Sequence, residues 1–310
     1  MSDRVLRIAT RRSPLALWQA EHVAARLKAL DPAREVALVP IKTQGDRILD
    51  VPLAKIGGKG LFIKELEQAL LDGVADLAVH SMKDVPAELP AGLCLAALLA
   101  SADPRDALLS RHPGAWAGLP EGAWVGTSSL RRQCQLRAQR PDLRFAFLRG
   151  NVGTRLSKLD AGDFDAIVLA AAGLDRLGLA ERISERLPPE ISLPAVGQGV
   201  IGIECREDDA DLRAWLSPLE DPSSRQRVTA ERALNAGLHG GCQAPIAAHA
   251  RLDGAALVLD ARVGSRDGGV LADRIEGPAS AAASLGHALA EALLARGADR
   301  LLREWGALEP

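Results

Sequence analysis

Short apolar runs of β type alternate with stretches of helical periodicity from the N-terminus to about residue 205. Val5–Ala9 is the first run, and Ser13 with Pro14 has the form of an N-cap followed by proline in the first helical turn. The stripe Ala20, Val23, Ala24 and Leu27 carries that helix to about Leu30. Val36–Ile41 predicts a second strand and Leu61–Leu71 a helix. Asp76–His80 and Leu93–Leu98 predict two more strands. Asp103–Asp106, containing Pro104, marks a crossing between domains. The same alternation then resumes as strand Trp124–Gly126, helix Leu130–Gln139, strand Leu143–Leu148, helix Thr154–Asp160 and strand Ala166–Ala170. Alternation of this kind predicts α/β layers.

Pro188-Pro189 and Leu193-Pro194 punctuate the chain before a further strand, Val200–Cys205, which sequence order allows to return to the first domain. Beyond about residue 217 the pattern changes. Helix Arg225–Ala236, loop His239–Pro245, strands Ala247–Leu252 and Ala256–Val263, and helix Ala281–Arg303 capped by Ser280 predict a smaller α+β domain. Segments 42–60 and 104–123 fit neither period. Long loops of this kind inside compact domains tend to be functional or mobile. Gly57–Gly60 lacks the Walker spacing, and no G-x-G-x-x-G follows the first strand, which argues against nucleotide folds. No internal repeat is present.

Composition adds exclusions. The 310 residues are 47% hydrophobic and 25% charged, a globular balance that excludes a mainly disordered chain. Net charge is −2, so no global field exists to hold nucleic acid or an anionic membrane, and anion binding must come from local clusters. Only 7 of the basic residues are lysine and 31 are arginine, whose planar fork grips carboxylates and phosphates. The count itself fits codon bias; the positions carry the information. No stretch reaches about 18 uninterrupted apolar residues, and the first residues lack a signal-peptide core, so a cytoplasmic chain with no membrane span is expected. The four cysteines, at 94, 134, 205 and 242, show no C-x-x-C spacing; neither a zinc site nor a disulfide framework is expected.

Ligands of α/β sheets collect beyond the carboxyl ends of strands. Four such places carry hydroxyls and cations: Thr10–Ser13, Ser81–Asp84, Thr127–Arg132 and Arg149–Arg155. Two of them lead into helix N-termini, which favour anions. One Ser/Thr-rich helix start is ordinarily just a cap, and one arginine a solvated charge, but their coincidence at several strand ends points to a polyanion site. Carboxylates and phosphates are not separated by this pattern. Asp84 stands among cations. It is either a structural partner of Lys83 or a helix cap, or a carboxylate placed to accept N–H groups and stabilise a developing cation. Cys94, Cys134 and Cys205 sit in apolar patterns and read as small buried hydrophobes. Cys242, in the turn His239–Pro245, is a candidate nucleophile or attachment point.

Together these segments resemble the porphobilinogen deaminase (hydroxymethylbilane synthase) family over nearly the whole chain. The resemblance rests on Arg7–Ala16, Gly57–Phe62, His80–Pro86, Gly126–Arg132, Leu148–Arg155, Leu193–Gly199 and Gly240–Gln243, in family order. The last 60 or so residues match mainly by order and length. The resemblance implies two α/β lobes like type II periplasmic binding proteins plus a small α+β C-terminal domain. They would comprise residues 1–99 with 200–217, residues 100–199, and residues 218–310. It implies a dipyrromethane cofactor held by a thioether to Cys242. The reaction implied adds four porphobilinogens head to tail with loss of ammonia, after which water releases linear hydroxymethylbilane, a haem precursor. Each ring carries an acetate and a propionate, which suits clustered arginines. By resemblance Asp84 is catalytic, stabilising the azafulvene cation left by deamination and moving protons. Lys83, Asp84, Thr127, Ser129, Arg131, Arg132 and Arg155 would hold the cofactor. Arg11, Ser13, Ser81, Arg149, Arg176 and Gln198 would line the substrate position. Lys55, Lys59 and Phe62 would belong to a mobile loop, with Phe62 stacking on a ring.

Two other classes compete. A non-catalytic solute-binding module shares two lobes and an anion cleft, but is usually exported and needs no exposed thiol. A nucleic-acid binder conflicts with the net charge and with the scarcity of stacking aromatics. No metal, nucleic acid or membrane partner is expected. The chain lacks coiled-coil signals and long apolar edges, so a monomer is expected.

Overall fold

The computed structural model describes residues 5–47, 63–241 and 244–305. The fold is mixed α/β, with two sheet-rich lobes and a small α+β domain at the C-terminal end. The first sheet contains β1 (Leu6–Arg11), β2 (Val36–Ile41), β3 (Leu77–Ser81), β4 (Leu93–Leu98) and a strand from much later in the chain. The second contains β5 (Asp106–Ser110), β6 (Trp124–Gly126), β7 (Arg144–Ala146), β8 (Ala166–Ala170) and β9 (Glu185–Leu187). The late strand of the first sheet is β10 (Ile201–Arg206). The third sheet is β11 (Ile246–Asp253), β12 (Ala256–Gly264) and β13 (Val270–Pro278).

The two large sheets share one plan. Their orders are β2-β1-β3-β10-β4 and β7-β6-β8-β5-β9. In each, three strands run parallel, and the fourth place is taken by a strand antiparallel to both neighbours. That strand is supplied by the chain as it arrives from the opposite lobe: β5 follows β4 and β10 follows β9. The chain therefore crosses twice, through residues 99–105 and 188–200. Central strands buried on both faces need continuous apolar runs; β8 (Ala-Ile-Val-Leu-Ala) supplies one, whereas β10 (Ile-Gly-Ile-Glu-Cys-Arg) is interrupted by the buried Glu204.

Helix α1 (Pro14–Leu30) starts as its sequence requires: Ser13 Oγ accepts the Ala16 N–H at 3.3 Å and Pro14 occupies the first turn. Ala20, Val23 and Leu27 pack on Leu6, Ile8, Leu77 and Val79, while Ala24 is only partly buried. In the C-terminal domain the helices Pro222–Gly237 and Ala282–Ala295 cover one face of β11–β13, where Leu257, Leu259, Ala261 and Val263 alternate inward.

Several sequence expectations are corrected. The final helix is two helices, Ala282–Ala295 and Ala298–Glu304, broken at Gly297 with φ +90°. Ser280 is not its cap. It lies in a short 3₁₀ turn, Ala279–Ala281, and Ala281 occupies the cap position without a side-chain bond. Strands β5, β9 and β13 had no counterpart in the periodicity. Cys134 and Cys205 are buried and their thiols are pushed up to about 12 by desolvation, but Cys94, paired across from Cys205 in β4, is only half-buried. The helix expected at Leu61–Leu71 is described over Lys64–Leu71.

Candidate active site

The carboxyl ends of β1 and β3 furnish one wall. β1 ends at Arg11, and the chain turns at Ser13 into α1. β3 ends at Ser81 and passes into a 3₁₀ turn, Met82–Asp84. Arg11, Ser13, Ser81 and Asp84 line one pocket, together with Gln19 and His80. Gln19 Nε2 donates to Ser81 Oγ at 2.8 Å and fixes that hydroxyl. Beneath them His80 Nε2 meets Glu204 Oε2 at 2.8 Å inside the core.

The opposite wall comes from the second lobe. After β6, Thr127 Oγ1 accepts the Ser129 N–H at 3.2 Å, and Ser129 caps helix Leu130–Gln139 by accepting the Arg132 N–H. Ser128 Oγ donates to Leu148 O at 2.5 Å and ties this turn to the next one. After β7, Asn151 caps helix Val152–Asp160 through the Thr154 N–H at 2.9 Å. That helix carries Arg155, whose Nε donates to Gly150 O at 2.8 Å. The Ser/Thr-rich turns thus do cap helices, and in doing so they set the first-turn arginines in place.

These side chains act on one another through their charges. Lys83 is lowered to about 8, first by burial and then by the charges of Arg132 and Arg131, against the pull of Asp84 and Asp106. Arg155 is lowered to about 10 by burial and by Arg132, Arg149 and Arg11, with Asp84 opposing. Burial also lowers Arg149. Arg11, Lys83 and Asp84 from one lobe therefore share a field with Arg131, Arg132, Arg149 and Arg155 from the other. A cluster whose own cations depress one another is poised for a multiply charged anion.

Arg176 stands apart from that cluster. Its Nη2 donates to Gly199 O at 2.6 Å, its guanidinium lies 5.8 Å from the Trp18 ring, and burial lowers it to about 10. Gln198 is committed to the crossing, donating to Pro104 O at 2.6 Å and to Asp106 Oδ1 at 3.0 Å, while its buried Oε1 has no partner among the described residues. Two glycines allow the crossing to lie so close: a Cβ on Gly197 would stand 2.7 Å from Met82 Cβ, and one on Gly199 2.6 Å from Ala102 O. Both have positive φ, +67° and +92°.

Sequence reasoning missed two carboxyl groups. Asp106, the first residue of β5, is fully buried and receives both Arg131 and Arg132. In sequence it stands only as part of the crossing; its place three residues after Asp103 and two after Pro104 is the available signal. Glu231, on helix Pro222–Gly237, accepts the Gly197 N–H at 2.7 Å and the Ala250 N–H at 2.8 Å, so the C-terminal domain grips the crossing directly. Burial raises it to about 7, against the two backbone N–H groups and the charge of Arg227, which lower it. Cys242, Lys55, Lys59 and Phe62 lie outside the described residues.

Two family sequence models match the chain. That of the porphobilinogen deaminase dipyromethane cofactor binding domain covers residues 6–214, and that of the porphobilinogen deaminase C-terminal domain covers residues 225–295. Among solved structures the chain is similar to the VFT2 domain of Bordetella pertussis BvgS, at 15% identity over 68% of this chain and 84% of that one (TM-score 0.43). It is also similar to the periplasmic aliphatic sulphonate binding protein SsuA from Escherichia coli, at 15% over 76% and 70% (TM-score 0.42). A third is the methionine binding protein MetQ, at 13% over 73% and 94% (TM-score 0.46).

Proposed function

The chain belongs to the porphobilinogen deaminase family, and on that premise we propose how its own residues divide the work. The protein is a hydroxymethylbilane synthase, a transferase that condenses four porphobilinogen molecules head to tail with loss of ammonia, primed by a dipyrromethane cofactor.

The side chains present suit that cofactor. The cations that lower Lys83 and Arg155 are relieved by bound carboxylates. The orphaned Gln198 Oε1 is an acceptor suited to a pyrrole N–H. When bound, the cofactor supplies the ring carbon to which the first substrate is joined. Lys83, Thr127, Ser129, Arg131, Arg132 and Arg155 hold its carboxylates, and Cys242 is the attachment residue. Arg11, Ser13, Ser81, Arg149, Arg176 and Gln198 bind incoming porphobilinogen, with Arg176 and Gln198 contributing from the crossing. Lys55, Lys59 and Phe62 complete the substrate side. Asp84 accepts pyrrole N–H groups, holds the positive charge that develops as ammonia departs, and moves the proton lost on rearomatisation.

The observation that carries this reading is the convergence of cations from both lobes on one carboxylate, Asp84. The three sheets support dividing the chain into residues 1–99 with 200–217, residues 100–199, and residues 218–310. No helix among the described residues is long and apolar enough to cross a membrane, and the net charge of −2 offers nucleic acid no field; we assign a cytoplasmic monomer. The test is stoichiometric. Purified protein given porphobilinogen should release one ammonia per ring joined and a linear tetrapyrrole. Retention of unchanged porphobilinogen would instead support a solute-binding module.

A further inference from the structure

Asp106 is 0% exposed, and Arg131 and Arg132 beside it are 4% and 6% exposed, so this is an interior ion cluster rather than a surface pair. Arg131 donates Nη1 to Asp106 Oδ2 at 2.9 Å, Nη2 to Oδ1 at 3.1 Å, and Nη1 again to Leu193 O at 2.6 Å. Arg132 donates Nε and Nη2 to Asp106 Oδ1 at 3.0 and 2.7 Å, and Nη1 to Val168 O at 2.8 Å. Each guanidinium thus commits three bonds to protein. An arginine has about five N–H donors, so each keeps a remainder for a ligand. Asp106 also accepts Ser192 Oγ at 2.7 Å and Gln198 Nε2 at 3.0 Å, both from the second crossing. One carboxylate therefore joins the arginine pair to the segment between the lobes. It leaves that pair with one net positive charge rather than two.

We propose that Asp106 is a positioning residue for elongation, which sets the remaining donors of Arg131 and Arg132 and weakens their hold on carboxylates enough for the growing chain to move on. The inference rests on the reading that this pair holds ring carboxylates. Each addition leaves a longer chain bearing more carboxylates, so a site that grips them must also release them. Full positive charge on both arginines favours grip over release. Half-compensation by a buried anion shifts that balance without removing a single donor from the ligand side.

The test is Asp106→Asn in the holoenzyme. Intact mass first gives the fraction of chains carrying the two-ring increment. A single round of porphobilinogen addition, quenched and weighed, then gives the distribution of chains with extra rings. The expected result is a loaded protein whose KM stays within about twofold of wild type, whose kcat falls at least about tenfold, and in which partly elongated chains accumulate. If Asp106→Asn yields no folded holoenzyme, Asp106→Glu decides. Its charge is kept but moved by one methylene, so the compensation stays while the arginine donors shift, and kcat should fall less than in the Asn variant, with KM unchanged and some accumulation. Loaded variants with wild-type kcat and ring distribution overturn the inference, as does a fall in kcat that merely follows the unloaded fraction. Failure of the underlying reading is separate: it shows as normal cofactor loading in Arg131→Leu.

Discussion

Arg131 and Arg155 both face the proposed ring carboxylates, yet their removal should have opposite consequences for the empty protein. Arg131→Leu takes two bonds from the buried Asp106 and one from Leu193 O. Breaking a buried pair from one side costs about 3–5 kcal/mol, because a charge is left without its partner. Arg132, Ser192 and Gln198 still serve Asp106, which places the cost at the low end, about 3 kcal/mol. Arg155 instead donates to a backbone carbonyl, and its neighbours Arg132, Arg149 and Arg11 repel it. Arg155→Leu loses that one bond to a part-exposed carbonyl but relieves the repulsion, so apoprotein stability should fall by no more than about 1 kcal/mol. Both variants lose a charge-assisted contact to the cofactor, typically about 1.5–3 kcal/mol, or roughly 10- to 150-fold in affinity. The assay uses apoprotein from cells unable to make porphobilinogen. Urea unfolding gives stability, and intact mass after titration with porphobilinogen gives loading. Arg131→Leu with unchanged stability would refute the Asp106 pairing. Arg155→Leu with normal loading would refute its place at the cofactor.

Three further outcomes follow from the geometry. Asp84→Asn, once shown by mass to carry the cofactor, should lose roughly 100- to 1,000-fold in turnover and Asp84→Glu less; an Asn variant within about threefold of wild type removes Asp84 from catalysis. Glu231 is raised from its ordinary 4.5 to about 7, so the folded state binds more protons than the unfolded chain between those values, and its contribution to stability is lost as pH rises through about 7. Unfolding measured from pH 5 to 8 should show that loss in wild type and a flatter profile in Glu231→Gln; identical profiles contradict the assignment. Gly199→Ala places a Cβ 2.6 Å from Ala102 O at φ +92° and should destabilise by about 1–3 kcal/mol, read as a lowered urea midpoint; an unchanged midpoint contradicts the close approach of the two crossings.

Much of the fold is legible in the sequence because its parallel strands are apolar runs followed by capped helices. Ser13, Ser129 and Asn151 announce their helices locally, and so do the strand ends that carry Arg11, Ser81, Arg131 and Arg149. The exchanged strand β5 is not legible. Asp-Ala-Leu-Leu-Ser is too short to show a period, and its partners β8 and β9 lie far along the chain. The edge strand β13 alternates between half-buried and exposed positions and ends in Gly-Pro, the mark of a loop. Asp106 is hidden for a related reason: its partners Ser192 and Gln198 are 86 and 92 residues away, so only the folded crossing reveals it. Arg131 and Arg132 likewise read as wholly open to ligand, because the partners that take three bonds from each, Asp106, Leu193 and Val168, lie 25 to 62 residues away.

The central claim is that this chain carries a two-ring pyrrole primer on Cys242 and builds on it. Intact mass of the purified protein, followed by peptide mapping, tests it most directly. The account predicts an increment of two porphobilinogen units less their ammonia, located on the peptide containing Cys242 and absent from Cys242→Ser, which should also be inactive because a hydroxyl is a far weaker nucleophile. An unmodified active protein, or the increment found on Cys94, Cys134 or Cys205, would contradict it.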